Sequence, residues 1–500
     1  MAHQPKASLQ SLSPTSPEEM MESFLVSYPS LCCVTLIIGW LVHWAYKWAN
    51  PPCKGTLPPG SMGFPIVGET FQLFKQSPSI GIPSYYQQRL ERYGTLFKTS
   101  LAGQRVVVSL DPEVNHFIFQ EEGKLFRSWY PEATNNIFGK KSVTKFNANV
   151  HKFVRSFASK LFGVENLREV LIRELEDAIR QSFAAWAAKP SIEVKDGVAD
   201  MIFDLVAKKM ISMEPGESRE LRKNFEDFFR GMLSFPIYFP GTLYYKCMKG
   251  RRNVHRILSD ILKERLSTPG KKHGDIVDLL VEELRSEKPL IDENFAIDAL
   301  AAILFGSFAT ASAALTIGFK FLTDNPKVVE TLKEEHEIIL KKREDKNSGF
   351  TWEEYKSLTF TTQVMNEITR MGNIAPGIFR KTLKDVQVNG YTIPAGWLVM
   401  ISPMTVHLNP NFFEDPLKFN PWRWSTQDEA KQIAQKRNFM PFGGGIRLCL
   451  GADFSKLFIS LFLHVLVTKY RWIEIKGGEV LRAAEMVIPQ GYHIQLVPTS

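Results

Sequence analysis

Phe442-Gly443-Gly444-Gly445-Ile446-Arg447-Leu448-Cys449-Leu450-Gly451 is the stretch on which the reading of this chain turns. Three consecutive glycines permit a tight backbone turn, and Arg447 supplies a fixed positive charge. Cys449 stands directly before an apolar run of helical period that opens at Ala452. A cysteine at a helix amino end, ringed by backbone N–H groups, is placed to be held as a thiolate, the form that ligates a metal. The bland alternative is a structural cysteine buried behind a glycine turn. The other four cysteines, Cys32, Cys33, Cys53 and Cys247, are scattered, and an odd total fits thiols in a reducing compartment better than a disulfide framework.

Outward from this loop, helical period covers 150–187, 196–213, 216–234, 250–267 and 452–468. Strands are few. Leu96 to Ser100 and Arg105 to Ser109 flank Ala102-Gly103-Gln104 as one hairpin, and Val386-Gln387-Val388 returns through Asn389-Gly390 to Tyr391-Thr392-Ile393 as another. Asp292 to Thr323 is apolar on nearly every face and free of proline, about thirty residues or roughly 45 Å of helix. A helix apolar all round must be buried. Its middle carries Gly306-Ser307-Phe308-Ala309-Thr310, where small and hydroxylic residues replace bulk. The expected fold class is mainly α with a small β region, a single large domain around a long central helix.

The chain has 500 residues, 44% of them hydrophobic and 36 of them Phe, enough for a large buried core. Its net charge of +8 comes with no long basic run, so no nucleic-acid partner is expected. From Ser23 to Tyr46 no Asp, Glu, Lys or Arg interrupts the sequence, and about 20 apolar residues span a bilayer core. Trp40, Trp44, Tyr46 and Trp48 beside Lys47 and Lys54 read as an interfacial aromatic belt with cytosolic positive charge. A cleaved signal peptide is the alternative, but the run is long for one and lacks a basic leader. Five prolines between Pro51 and Pro65 then make a stiff connector. The expected organisation is an extension without regular structure (1–22), an N-terminal transmembrane anchor (23–46), a Pro-rich hinge (47–65) and one catalytic domain (66–500).

Phe442, Gly445, Arg447, Cys449 and Gly451 match all five specified positions of Phe-x-x-Gly-x-Arg-x-Cys-x-Gly, the haem-binding loop of cytochromes P-450, and the chain resembles that superfamily. A chance match of this kind arises about once in several thousand such chains. The resemblance implies the cytochrome P-450 fold and a haem b whose iron takes Cys449 as axial ligand, with Phe442, Arg447 and Gly451 around it. It implies haem-propionate contacts from His151 and Arg155, in His151-Lys152-Phe153-Val154-Arg155, and from Arg380. Glu367 and Arg370, joined by Arg423 of Pro421-Trp422-Arg423-Trp424, correspond to the structural lock behind the haem. Thr310 matches the oxygen-activating hydroxyl. Ala309 departs from the pattern, standing where an acid usually does. An acid that delivers protons is typically worth 10² to 10⁴ in rate, so its loss should either slow dioxygen scission or shift the relay to Thr310, Ser307 and ordered water. Phe305, Gly306, Ala309, Ala375, Gly377 and Ile378 would line the substrate pocket.

Leu57-Pro58-Pro59-Gly60-Ser61-Met62-Gly63-Phe64-Pro65, with Phe239-Pro240-Gly241-Thr242, is similar to the plant clan that oxidises brassinosteroids, sterols and triterpenoids. The resemblance implies a monooxygenase that uses dioxygen, with electrons from NADPH through NADPH-cytochrome P-450 reductase, in the endoplasmic reticulum membrane. The anchor is single-pass and the catalytic domain cytosolic. Small residues at 306, 309, 375 and 377 favour a bulky carbon beside the iron, so the leading substrate is a sterol oxidised on its side chain by successive hydroxylations ending in carbon–carbon cleavage. Triterpenoid hydroxylation is the runner-up. Phe235, Ile237, Tyr238, Phe239 and Tyr245 would meet membrane lipid, with core packing as the alternative. Lys246, Lys249, Arg251, Arg252 and Arg256 would meet an acidic reductase, or form an ordinary solvated face. A different class, an oxygen-independent thiolate-haem isomerase or a haem-binding carrier, is favoured by the missing acid and opposed by Thr310. No His-Glu-x-x-His, phosphate loop or Gly-x-Ser-x-Gly offers another chemistry.

Overall fold

Asp292 starts the central helix. Its carboxylate accepts from the Phe295 N–H at 2.8 Å, and the helix then runs unbroken over Glu293–Asp324. It packs along Val194–Ile211 and against Leu243–Ser267 and Thr359–Gly372, so the apolar residues on most of its faces are buried. Phe305 and Phe308 enter a cluster with Phe138, Phe203, Phe225 and Phe228, with ring centroids 4.9 to 6.3 Å apart. Aromatic pairs at such distances, here edge-to-face or tilted, each add about 0.5–1.5 kcal/mol beyond the area they bury. The structure, a computed structural model, describes residues 17–139, 148–232, 234–268, 270–345, 348–483 and 485–499; the side chains before Leu31 and those of Ala148, Asn149, His151 and Phe229 lie outside the description.

Two of the expected helices are broken. The period over 150–187 splits at Gly163 into Ala148–Phe162 and, after a short turn and one π-turn over Leu167–Leu171, Ile172–Ala187. Gly163 is extended (φ −72, ψ 150), and a Cβ there would lie 2.3 Å from the Ser159 carbonyl oxygen. The period over 216–234 divides into Pro215–Lys223 and Phe228–Met232, because the Asn224 side chain turns back to the Glu220 carbonyl at 3.0 Å and ends the first piece.

The main sheet has five strands: β1 (Leu96–Leu101), β2 (Gln104–Ser109), β3 (Phe126–Ser128), β4 (Ile378–Thr382) and β5 (Leu398–Ile401). Their order is β1-β2-β5-β4-β3, with β2 and β5 parallel and the other pairs antiparallel. Ala102 (φ 48) with Gly103 (φ 77), and Asn389 (φ 49) with Gly390 (φ 78), supply the left-handed pairs that two-residue hairpins need, so both expected hairpins form. Arg380 on β4 lies opposite Ser128 on β3.

At the amino end one helix covers Pro17–Ala49; within it Leu31–Ala49 has a mean hydropathy of 1.3, is unburied, and is long and apolar enough to cross a membrane. The connector after it is laced to the second hairpin. Thr392 N–H donates to the Thr56 carbonyl at 2.7 Å, and Trp48 Nε1 donates to the Gly63 carbonyl at 3.3 Å.

Candidate functional site

The Cys449 loop is shaped by its own backbone. Gly443 N–H donates to Met440 O, Leu448 N–H to Gly445 O and Cys449 N–H to Phe442 O, each at 3.1 Å. Helix Ala452–Lys469 follows at once, its first turn closed by Ser455 N–H to Gly451 O at 2.8 Å. Two of the three glycines are required by a close approach to helix Pro112–Gln120. A Cβ on Gly444 would lie 2.7 Å from the Phe119 ring, and one on Gly445, already at φ 63, would lie 2.3 Å from the Phe119 carbonyl oxygen. The loop therefore lies flat on that helix and turns Ile446, Leu448 and Cys449 outward as exposed side chains.

The electrostatics at Cys449 differ from the expectation. Desolvation pushes its thiol up; the Gly451 N–H and the Arg155 guanidinium pull it down by less, and Asp453 adds to the rise. The thiol is open on one side yet closely surrounded on the others, and the helix end does not outweigh that environment. Left alone, it is protonated at neutral pH. A bound metal ion deprotonates a coordinating thiol outright, so the metal itself supplies what the local field does not.

Arg155, on helix Ala148–Phe162, reaches the same loop, its Nη1 donating to Ile446 O at 3.4 Å and Leu448 O at 3.3 Å. The side chain of His151 lies outside the described residues. Arg380 and Arg447 converge on one buried carboxylate, Glu122, with Arg380 Nε 2.5 Å from Oε2 and Arg447 Nε 3.5 Å from Oε1. Ser128 fixes that carboxylate from its N–H and its hydroxyl, both at 3.0 Å. Nothing in the sequence singled out Glu122, which lies 258 positions from Arg380.

Glu367, Arg370 and Arg423 are brought together and buried. Arg370 grips Glu367 with two parallel hydrogen bonds of 2.9 and 2.8 Å, and Arg423 Nε adds a third at 3.0 Å. Trp424 Nε1 (3.1 Å) and Asn420 N–H (3.0 Å) complete five donors on one carboxylate. With both oxygens saturated, the charges are compensated in place, which is what makes a buried ion pair tenable. Trp424 and Asn420 were visible only as neighbours of Arg423.

The central helix shows where space lies. Gly306 and Thr310, one turn apart, are exposed in the middle of an otherwise buried element, with Ala302, Ile303, Ala309 and Ala313 partly open on the same face. A Cβ on Gly306 would meet nothing within 4 Å. Thr310 Oγ1 donates to the Gly306 carbonyl at 3.5 Å and Ser307 Oγ to the Leu304 carbonyl at 2.7 Å. Ala375 is likewise exposed, and Ile378 Cδ1 lies 3.7 Å from a Cβ placed on Gly443, so that segment abuts the cysteine loop. Gly377 backs onto Met400 at 3.2 Å, and Phe305 faces the phenylalanine cluster rather than the open stripe. Of the five basic residues near 250, Arg251 turns inward, donating to Ile137 O at 2.8 Å and to Asp298 at 3.1 Å, while Arg252 meets Tyr238.

An outward thiol on a loop with exposed apolar neighbours, a convergent pair of arginines and an open small-residue stripe fit a flat, dianionic, metal-bearing macrocycle. Cys449 would hold its iron, and Arg155, Arg380 and Arg447 are the cations nearest the loop that would meet its carboxylates, the latter two now shared with Glu122. Comparison with known proteins agrees. A family model described as Cytochrome P450 matches residues 58–495. The chain is 48% identical over 480 residues to Cytochrome P450 87A3 of Oryza sativa subsp. japonica, covering 96% of this chain and 93% of that protein. It is 39% identical to Beta-amyrin 16-alpha-hydroxylase CYP87D16 of Maesa lanceolata (95% and 99% covered) and 35% identical to Steroid (22S)-hydroxylase of Oryza sativa subsp. indica (91% and 91%). The solved structure of retinoic acid bound cyanobacterial CYP120A1 shares the fold at a TM-score of 0.78 and 24% identity, covering 89% of this chain and 100% of that one.

Proposed function

Since the chain belongs to the cytochrome P450 family and is a haem-thiolate monooxygenase by that membership, we propose that it hydroxylates a sterol on its side chain, by successive steps that end in carbon–carbon cleavage. A haem held at Cys449 would supply dioxygen activation, the chemistry for which a thiolate ligand is suited. The chain's own residues orient and deliver. Thr310 holds a hydroxyl one turn from Gly306 on the open stripe, and Ser307 stands beside it. With Ala309 unable to carry a proton, these hydroxyls and water would form the delivery route.

The observation that supports the substrate reading is the run of small residues, Gly306 and Ala309 on the central helix and Ala375 beside the cysteine loop, with no atom within 4 Å of a Cβ placed on Gly306, which leaves room for a bulky carbon. Triterpenoid hydroxylation is a second reading, favoured because a relative named for that activity is more similar, at 39%, than the steroid hydroxylase, at 35%. In both readings electrons come from NADPH through a cytosolic-facing reductase. The apolar run 23–46 of helix Pro17–Ala49 anchors the enzyme in the endoplasmic reticulum membrane, and Ile237, Tyr238 and Phe239, all exposed, face its lipid.

The test is incubation of microsomes carrying the chain and a reductase with a phytosterol, with cholesterol and with β-amyrin, followed by mass spectrometry under labelled dioxygen. A sterol product that has gained labelled oxygen, together with a fragment lacking the side chain, supports the first reading. Labelled triterpenoid with unchanged sterols replaces it by the second. Turnover without label in any product refutes both.

A further inference from the structure

His407 ends the short helix Pro403–His407 and is fully buried, 33 positions before the cysteine loop begins at Met440. Three contacts fix it. Its carbonyl oxygen accepts from Arg370 Nη1 at 2.7 Å, so it is tied to the arginine whose other nitrogens grip Glu367. Its ring nitrogens face two different partners. Nε2 lies 3.0 Å from the Met440 backbone nitrogen, which can only donate, so Nε2 is the acceptor. Nδ1 lies 3.0 Å from Asn373 Oδ1, whose amide orientation is set because Asn373 Nδ2 donates to the Arg370 carbonyl at 2.7 Å. Nδ1 therefore carries the proton. The ring is a neutral imidazole with one donor and one acceptor, both used, and its tautomer is dictated by neighbours that cannot rearrange.

Asn373 is itself held in the left-handed region (φ 42) at the end of helix Thr359–Gly372, two residues from the small-residue segment at Ala375. Beyond Met440 the bonds continue. The Met440 carbonyl accepts from Gly443 N–H and the Phe442 carbonyl from Cys449 N–H, both at 3.1 Å. A continuous path of short hydrogen bonds thus runs from Glu367 through Arg370 and His407 to Met440, and from there into the turn that aims the thiol. No other described side chain hydrogen-bonds the Met440 N–H.

We propose that His407 is a positioning residue for Cys449: it carries the buried Glu367–Arg370 lock across to the Met440 backbone and so sets where the cysteine loop starts. The proposal rests on Cys449 as the axial ligand for its meaning, but the link itself belongs to the polypeptide. Its test therefore has one readout that needs no haem.

H407F keeps an aromatic ring and removes both hydrogen bonds, whereas H407Q offers one donor and one acceptor at similar spacing. Backbone amide exchange, followed by mass spectrometry of the full chain, is compared between segment 439–451 and the central helix. Loss of a buried backbone partner is expected to speed exchange about tenfold in segment 439–451 of H407F. The central helix should be unchanged, and H407Q should return to within about threefold of the parent. In haem-loaded protein, the thiolate-ligated absorbance of the reduced carbon-monoxide form should decay faster in H407F by a similar factor. Should H407F not accumulate as folded protein, N373G takes its place, since glycine keeps the positive φ and deletes the Oδ1 acceptor. Unchanged loop exchange, equal acceleration of loop and central helix, or H407Q as impaired as H407F would each overturn the proposal. A parent chain that never shows the thiolate band would instead remove the family reading of Cys449, with the exchange result still deciding the link.

Discussion

Acidification from pH 7 to 5 should destabilise this protein, and the slope follows from three buried histidines and one partly buried carboxyl group. His336, His407 and His464 are all buried as neutral rings. His336 meets the Thr361 hydroxyl and the His464 ring, each at 3.0 Å; burial holds this coupled pair well below the ordinary histidine range, and the two rings oppose each other's charging. His407 is lowered to about 3, by burial first and by the Arg370 charge second. A histidine depressed in the fold contributes stability that is present above its unfolded value of 6.5 and is lost as pH falls below it. Glu485 acts in the opposite sense. Burial raises it from 4.5 to about 7, so the folded chain keeps its proton where the unfolded chain releases it. Between about pH 5 and 6 the unfolded chain therefore gains three protons on the histidines and forgoes one on Glu485, a net of two. At about 1.4 kcal/mol per proton per pH unit, the expected loss is about 3 kcal/mol across that interval, with a shallower slope between pH 7 and 6. Folded domains hold only about 5–15 kcal/mol in total. Urea midpoints measured at steps from pH 7 to 5 check this, and E485Q, which deletes the opposing group, should steepen the slope to about 4 kcal/mol per unit. A midpoint that stays level or rises toward pH 5, or an E485Q slope no steeper than the parent's, would refute the reasoning.

C449S should abolish the thiolate-ligated absorbance of the reduced carbon-monoxide complex while far-ultraviolet dichroism keeps the helical signal, since no described side chain hydrogen-bonds the sulfur. E367Q leaves the buried guanidinium groups of Arg370 and Arg423 without a counter-charge and should cost about 3–5 kcal/mol, read as a fall in urea midpoint. G445A should lose more haem on purification than G444A: its new Cβ meets the Phe119 carbonyl at 2.3 Å in a left-handed backbone, a cost of about 1–3 kcal/mol, whereas at Gly444 the obstacle is a ring that can swing.

What could be read from the sequence was whatever is carried by neighbours in the chain. The central helix was expected over Asp292 to Thr323 and lies over Glu293–Asp324, because its apolar run and its Asp292 cap are both local. Both hairpins were announced by their turn residues, though the first turn is Ala102-Gly103 alone, Gln104 already pairing with Leu101. The helices over 150–187 and 216–234 were read too long, since hydrophobic period continues across Gly163 and Asn224 while the backbone does not. The Cys449 loop was legible as a motif; its dependence on Phe119 was not, because that contact joins segments more than 300 residues apart. Glu122 and His407 were invisible for the same reason: each is ordinary in its own stretch and acquires meaning only from partners that the fold delivers.

The bare position in the central helix has a thermodynamic side. An interior glycine forgoes about 1 kcal/mol of helix stability relative to alanine, and at Gly306 no steric obstacle forbids the methyl group. The chain has thus left an easy gain in rigidity unused at the point where its central helix faces open space. Successively larger residues at 306 would then form a graded ruler, each trading a firmer helix for a narrower choice of which carbon is presented for attack.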